Sequence, residues 1–218
     1  MMPGVDAQQS AAEREWLDAW LQGPRRLTWR ILPPQAGDPA PDLQLPDSGG
    51  AMQRLSQFWK RQPILLIFLR HFGCSCLAER WERLAVEIPE YAKAGAKIVA
   101  VGQGEPERTA EVARRRGYPF PVLSDPERKA YEAYGLLEGT PAQVLHDFPW
   151  KPNDRETGEK LVSSRRGTEQ ALVDNPWQLP GEFVIGGSGR IVHAHRYQYC
   201  EDFPPKTVLL GAIAAAGR

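Results

Sequence analysis

The stretch PILLIFLRHFGCSC, residues 63–76, opens on an uninterrupted apolar run from Pro63 to Leu69 and closes on two cysteines, Cys74 and Cys76. A strand with one wet face alternates apolar and polar residues. A run that is apolar at every position is covered on both faces, as in a parallel sheet. Beyond the cysteines, Leu77 to Lys93 places Trp81, Leu84, Ile88 and Tyr91 at helical spacing. The cysteine pair, separated by Ser75 and preceded by Gly73, is therefore expected where a buried strand gives way to a helix.

The alternation continues downstream. Lys97–Val101 reads as a second buried strand, Pro106–Arg116 as a charged helix closed by Gly117, and Pro121–Leu123 as a short strand. Asp125-Pro126 then opens a helix to about Tyr134. Strands and helices alternating through short connections predict right-handed crossovers and a mostly parallel sheet. From Glu138 the periodicity dissolves, and an irregular insertion is expected over about 138–178. Phe183–Ile185 and Arg190–His193 then read as two strands around the turn Gly186-Gly187-Ser188-Gly189, and Pro205 to Ala215 as a final helix. Upstream, residues 11–22 carry Trp16, Leu17, Trp20 and Leu21 at helical spacing, stopped by Gly23-Pro24. Pro41–Pro46 alternates like a short edge strand. The expected division is an N-terminal extension with one helix, residues 1–36, and a single domain, residues 37–218.

Among 218 residues, 42% are hydrophobic and 25% charged, with no formal net charge, so electrostatics offer no case for nucleic acid or a membrane surface. The longest apolar runs, Ile64–Leu69 and Val208–Ala215, fall short of the roughly 20 residues of a membrane helix. The N-terminus lacks the positive start and apolar core of a secretory leader, and a cytoplasmic protein is expected. Three cysteines do not make a disulfide scaffold, and in a reducing compartment clustered cysteines are reactive or metal-binding. The short Cys-x-Cys spacing, with no second pair, argues against a metal site. The glycine turns at 102–104 and 186–189 lack the context of a nucleotide loop, so no cofactor is expected.

A thiolate is the nucleophile in thiol chemistry, and a helix N-terminus lowers a thiol's pKa because its unpaired N–H groups favour negative charge. Arg70 and His71 are expected to add positive charge, as are His195 and Arg196 if the fold brings them near. In a regular helix, side chains two apart point to nearly opposite sides, so a Cys74–Cys76 bond requires an irregular first turn. Cys200 follows the return of the last strand toward the same sheet edge and is a candidate resolving thiol. His193 and His195 are read as facing opposite sides of that strand.

These segments resemble the alkyl hydroperoxide reductase/thiol-specific antioxidant (AhpC/TSA) group, and more narrowly its peroxiredoxin-like branch. GDPAPDLQLPD is similar to the group's opening hairpin, and ILLIFLRHFGCSCLAERW to its strand, cysteine loop and helix. KIVAVGQGEPERTAEVARRRGYPFPVLSDPERKAYEAYGL and WQLPGEFVIGGSGRIVHAHR resemble its following units and closing hairpin. The resemblance implies an α/β, thioredoxin-like fold with a central mixed sheet flanked by helices, and places Pro180 at a cis-proline position beside the site. It implies an oxidoreductase, either a thiol-disulfide oxidoreductase or a thiol peroxidase. Such an enzyme acts with an external thiol reductant on a disulfide or peroxide, needs no organic cofactor, and is free to form a homodimer. Two departures stand out. Leu77 sits where the branch's second cysteine would fall, so either Cys74 or Cys76 can be matched to the nucleophile. The Thr or Ser before the peroxidatic cysteine, and the Arg opening the last hairpin, have no counterpart, since Pro180, Gly181 and Glu182 occupy the latter stretch. The alternative reading is a redox-inactive thioredoxin-fold interaction module.

Overall fold

The computed structural model describes residues 5–144 and 151–217, with side chains from residue 11 onward. The first residues read for a leader, and 145–150 within the insertion, lie outside the described residues. Helix α1 (Val5–Gln22) is followed by the short antiparallel pair β1 (Gln44–Pro46) and β2 (Met52–Arg54) and by helix α2 (Ser56–Trp59). Next come β3 (Ile64–Phe68), α3 (Ser75–Lys93), β4 (Lys97–Gly102), α4 (Pro106–Arg116), β5 (Val122–Ser124) and α5 (Lys129–Ala133). Helices α6 (Pro141–Val144) and α7 (Arg155–Arg165) precede the hairpin β6 (Gly181–Ile185) and β7 (Ile191–Arg196), and α8 (Lys206–Ala216) ends the chain.

The five-stranded sheet has the order β5-β4-β3-β6-β7, with β3, β4 and β5 parallel and β6 and β7 antiparallel to their neighbours. The α/β mixed sheet read from the sequence is the one observed. Strand β3 explains why: Leu65 and Ile67 point into the core shared with α3, α4 and α8, while Ile64, Leu66 and Phe68 point into the core under α2 and α5. All five residues are buried, so a strand with no polar position suits the centre of the sheet. Helix α4 ends at Gly117, which adopts the left-handed conformation (φ 64°) favoured at helix C-termini.

The insertion is not irregular throughout. It contains α6 and the eleven-residue α7, whose first turn is capped by the Asp154 carboxylate accepting from the Thr157 amide at 2.8 Å. Helix α7 is polar and has little apolar periodicity of its own, which is why the sequence does not advertise it; it packs against α1. The two helices meet so closely that a side chain at Gly158 would lie 2.7 Å from Leu17. Trp20 donates from its indole N–H to the Asp154 carbonyl at 3.0 Å. Its ring stacks between Trp16 and Trp177, at centroid distances of 5.2 and 5.7 Å. The neck of the insertion is pinched where Gly139 N–H meets the Trp177 carbonyl at 2.7 Å and Leu179 N–H the Leu137 carbonyl at 3.0 Å.

Trp20 is fully buried. Replacing it with Ala removes a ring packed on two others, and the expected loss is about 3–5 kcal/mol, read as a lowered urea midpoint at unchanged m-value.

Candidate functional site

Strand β3 ends at Phe68, and Leu69 continues the ladder by donating to the Val101 carbonyl at 2.8 Å. The chain then turns tightly: Cys74 N–H reaches the His71 carbonyl at 3.1 Å. Phe72 wedges against the end of β4, where a Cβ at Gly102 would lie 2.7 Å from its ring. Gly73 is pressed under the insertion, with a hypothetical Cβ only 2.1 Å from the Ala171 carbonyl oxygen. Only glycine leaves room for the insertion to lie across the cysteine loop.

Cys74 is the N-cap of α3, with extended backbone (φ −75°, ψ 133°), and Ser75 and Cys76 are the first helical residues. This is the irregularity the sequence argument required. Because Cys74 sits outside the helical turn, its side chain swings back over the helix end, and the two sulfurs touch with their Cα atoms 5.4 Å apart. Cys200, on the loop after β7, joins them: the three sulfurs all lie within 4.8 Å of one another. Its amide donates to the Gln143 carbonyl at 3.1 Å, and its thiol sits 3.7 Å from the Val144 carbonyl. All three cysteine side chains are buried. Placement at a helix start agrees with the sequence expectation, whereas the ready solvent access of an exposed loop is absent.

Beside Cys76 and Cys200 is a cavity of about 20 Å³, whose lining includes Arg70, Arg80, Pro180 and Tyr197. Arg70 is buried and donates to the Pro176 and Gln178 carbonyls at 2.7 and 3.0 Å, which fastens the end of the insertion to the end of β3. Among the described residues its Nε has no hydrogen-bond partner and no carboxylate pairs with it.

Several expectations need correction. His71 is wholly buried, and neither ring nitrogen finds a partner among the described residues. Burial, reinforced by Arg70 and Arg165, holds its pKa well below the ordinary value, so it is neutral near pH 7 and brings no charge to the sulfurs. Pro180 lines the cavity, but no peptide bond among the described residues is cis. The trans form is the intrinsically favoured one, and the Pro180 carbonyl still accepts from the Tyr197 amide at 3.2 Å. Arg196 is turned away from the cysteines: its Nε donates to the Tyr134 carbonyl at 2.8 Å, its Nη2 to the Pro34 carbonyl at 2.5 Å, and it lies over Phe183. His193 and His195 stack at 6.4 Å on one face of β7, as the period of two demands. His195 Nε2 is engaged at 2.6 Å by the Asp202 carbonyl.

A buried ionic network that the apolar pattern does not announce lies under α3. Arg80, one turn after Cys76, donates from Nε and Nη2 to the two oxygens of Glu182 at 2.7 and 3.0 Å, and from Nη1 to Glu87 at 2.8 Å. Tyr197 donates to Glu182 at 2.6 Å and Tyr91 to Glu87 at 2.8 Å. Burial opposes the Arg80 charge, but Glu182 more than offsets this and holds its pKa above the ordinary value. A signal was available, because Cys76, Arg80, Leu84, Glu87 and Tyr91 share one helix face. An Arg and a Glu inside an apolar stripe call for buried partners.

A family model described as the AhpC/TSA family matches residues 36–194. The chain belongs to this family. It is 25% identical over 189 residues to human "Peroxiredoxin-like 2C", covering 83% of each chain. Over 103 residues it is 35% identical to "Thiol-disulfide oxidoreductase ResA" of Geobacillus thermodenitrificans, covering 46% of this chain and 57% of that one. Its fold matches the crystal structure of peroxidoxin BcpB from Mycobacterium tuberculosis with a TM-score of 0.55 at 21% identity, over 85% of this chain and 99% of that one. No helix among the described residues is long and apolar enough to cross a membrane.

His71 yields a pH prediction. Its folded pKa lies below the unfolded value of about 6.5, so the unfolded state binds the extra proton. The stability its neutral form supports is complete above about pH 6.5 and declines as pH falls, with a slope approaching 1.4 kcal/mol per pH unit. Urea midpoints between pH 7 and pH 5 are expected to fall less steeply for His71→Leu than for the parent.

Proposed function

We propose that this AhpC/TSA member is a thiol-dependent redox enzyme in which Cys74 and Cys76 cycle between dithiol and disulfide. The observation that carries this reading is the meeting of three sulfurs within 4.8 Å at the N-terminus of α3. Cys76 is assigned as the nucleophile because it lines the cavity together with Arg70 and Arg80. The helix N-terminus favours its thiolate, as does the Arg70 charge, which no carboxylate among the described residues neutralises. A cavity of about 20 Å³ holds roughly one water-sized molecule, which favours a small peroxide over a bulky disulfide as oxidant.

The Cys76 thiolate attacks one oxygen of hydrogen peroxide; the O–O bond breaks, and the leaving hydroxide takes a proton and departs as water. Cys76 becomes a sulfenic acid. The Cys74 thiol then attacks that sulfur, forming the Cys74–Cys76 disulfide and releasing water. An external dithiol resets the pair, becoming a disulfide as it gives up two electrons and two protons. Cys200 stands close enough to accept the bond by exchange and serve as a second resolving thiol. A dithiol donor of this kind suits the reducing cytoplasm expected from the sequence.

The test is peroxide consumption by the full chain with dithiothreitol as donor, coupled to mass spectrometry after one equivalent of oxidant. Cys76→Ser is expected to reduce the rate by more than about 1,000-fold, as loss of a nucleophile does. Cys74→Ser is expected to accumulate a sulfenic acid or a Cys76–Cys200 bridge. Equal rates for the parent and all three single Ser variants, with no disulfide formed, would favour a redox-inactive interaction module and overturn the proposal.

A further inference from the structure

The same three sulfurs support a role that involves no turnover and does not depend on the peroxide reading. Cys74 and Cys76 come from the start of α3, and Cys200 from a loop more than a hundred residues later, yet all three sulfurs lie within 4.8 Å of one another and are buried. We propose that the fully reduced chain holds one monovalent copper ion on Cys74, Cys76 and Cys200.

The donor set selects the ion. Thiolates are soft ligands and prefer monovalent copper, which is content with three of them. Structural zinc takes four ligands, and no histidine or carboxylate among the described residues joins the three sulfurs in this cluster. The adjoining cavity of about 20 Å³ offers space for little more than one water-sized group. Charge points the same way. Arg70 is a buried cation without a carboxylate partner among the described residues, on the wall of that cavity. Three thiolates give it counter-charge, copper offsets one of their charges, and the helix N-terminus favours the remainder. The sequence spacing argued against a metal site because Cys-x-Cys supplies only two ligands; the third arrives through the fold.

The site exists only in the reduced state. A Cys74–Cys76 disulfide must first take two electrons and two protons from a dithiol, which becomes a disulfide in turn. Coordination then releases the thiol protons as the copper–sulfur bonds form. Copper and oxidant therefore compete for the same sulfurs.

The test is an anaerobic titration of the full-length chain, reduced and then freed of reductant, with monovalent copper supplied from its bicinchoninate complex. The expected result is one copper per chain, with a thiolate-to-copper absorption band in the ultraviolet. Cys200→Ser and Cys74→Ser, each checked for folding by circular dichroism, are expected to weaken binding by more than about 100-fold, beyond the cost of losing an outer-shell group. A Cys200→Ser chain that folds and binds copper as tightly as the parent would overturn the proposal, as would a parent chain that takes up no stoichiometric copper. A parent that binds copper but consumes no peroxide upholds the ion site and removes the peroxidase reading; the opposite pair of results removes the ion site alone.

Discussion

Strand β3 hydrogen-bonds to β4 in parallel on one side and to β6 antiparallel on the other, and the site depends on that double pairing. The register puts Phe68 opposite Val101 and Gly181, so the end of β3, the end of β4 and the beginning of β6 coincide at one edge of the sheet. Arg70, the cysteine loop, Pro180 and Glu182 all gather there. A slip of one residue would send Leu65 and Ile67 to the opposite core and carry the cysteines off this edge.

Around that edge the chain buries several charged groups, among them Arg70, Arg80 and Glu182. Arg80 is held by two carboxylates, and Glu182 by Arg80 and Tyr197. Removing one partner of such a group leaves an uncompensated buried charge, so these residues stand or fall as a set. Arg70 differs because its only acceptors among the described residues are the backbone carbonyls of Pro176 and Gln178. Its position couples the insertion to the sulfurs. The chain segment that covers the site is anchored by a cation that also lines it, while Gly73 gives the same segment room to lie flat.

Where the sequence reading went astray, the reasons are local. A helix with weak apolar periodicity, α7, packs against Leu17 and Trp20 of α1, a contact its own pattern does not announce. Proximity in sequence predicts a charge at His71, but a side chain sealed from water sheds its proton. Arg196 lies on β7 close to the site in sequence terms, but its guanidinium is spent on the Tyr134 and Pro34 carbonyls. The two histidines of β7 stack on one face, because residues two apart in a strand share a face.

The sequence by itself determined the sheet and the strand-to-helix junction that carries Cys74 and Cys76. Apolar periodicity, helix stops and glycine turns are local properties, written within a dozen residues of where they act. Tertiary structure alone decided that Cys200 meets the pair, that Arg80 finds Glu182 across 102 positions, and that all three sulfurs are buried. Those contacts join residues far apart in the chain, and their distances follow from strand register and helix packing, which no local pattern encodes.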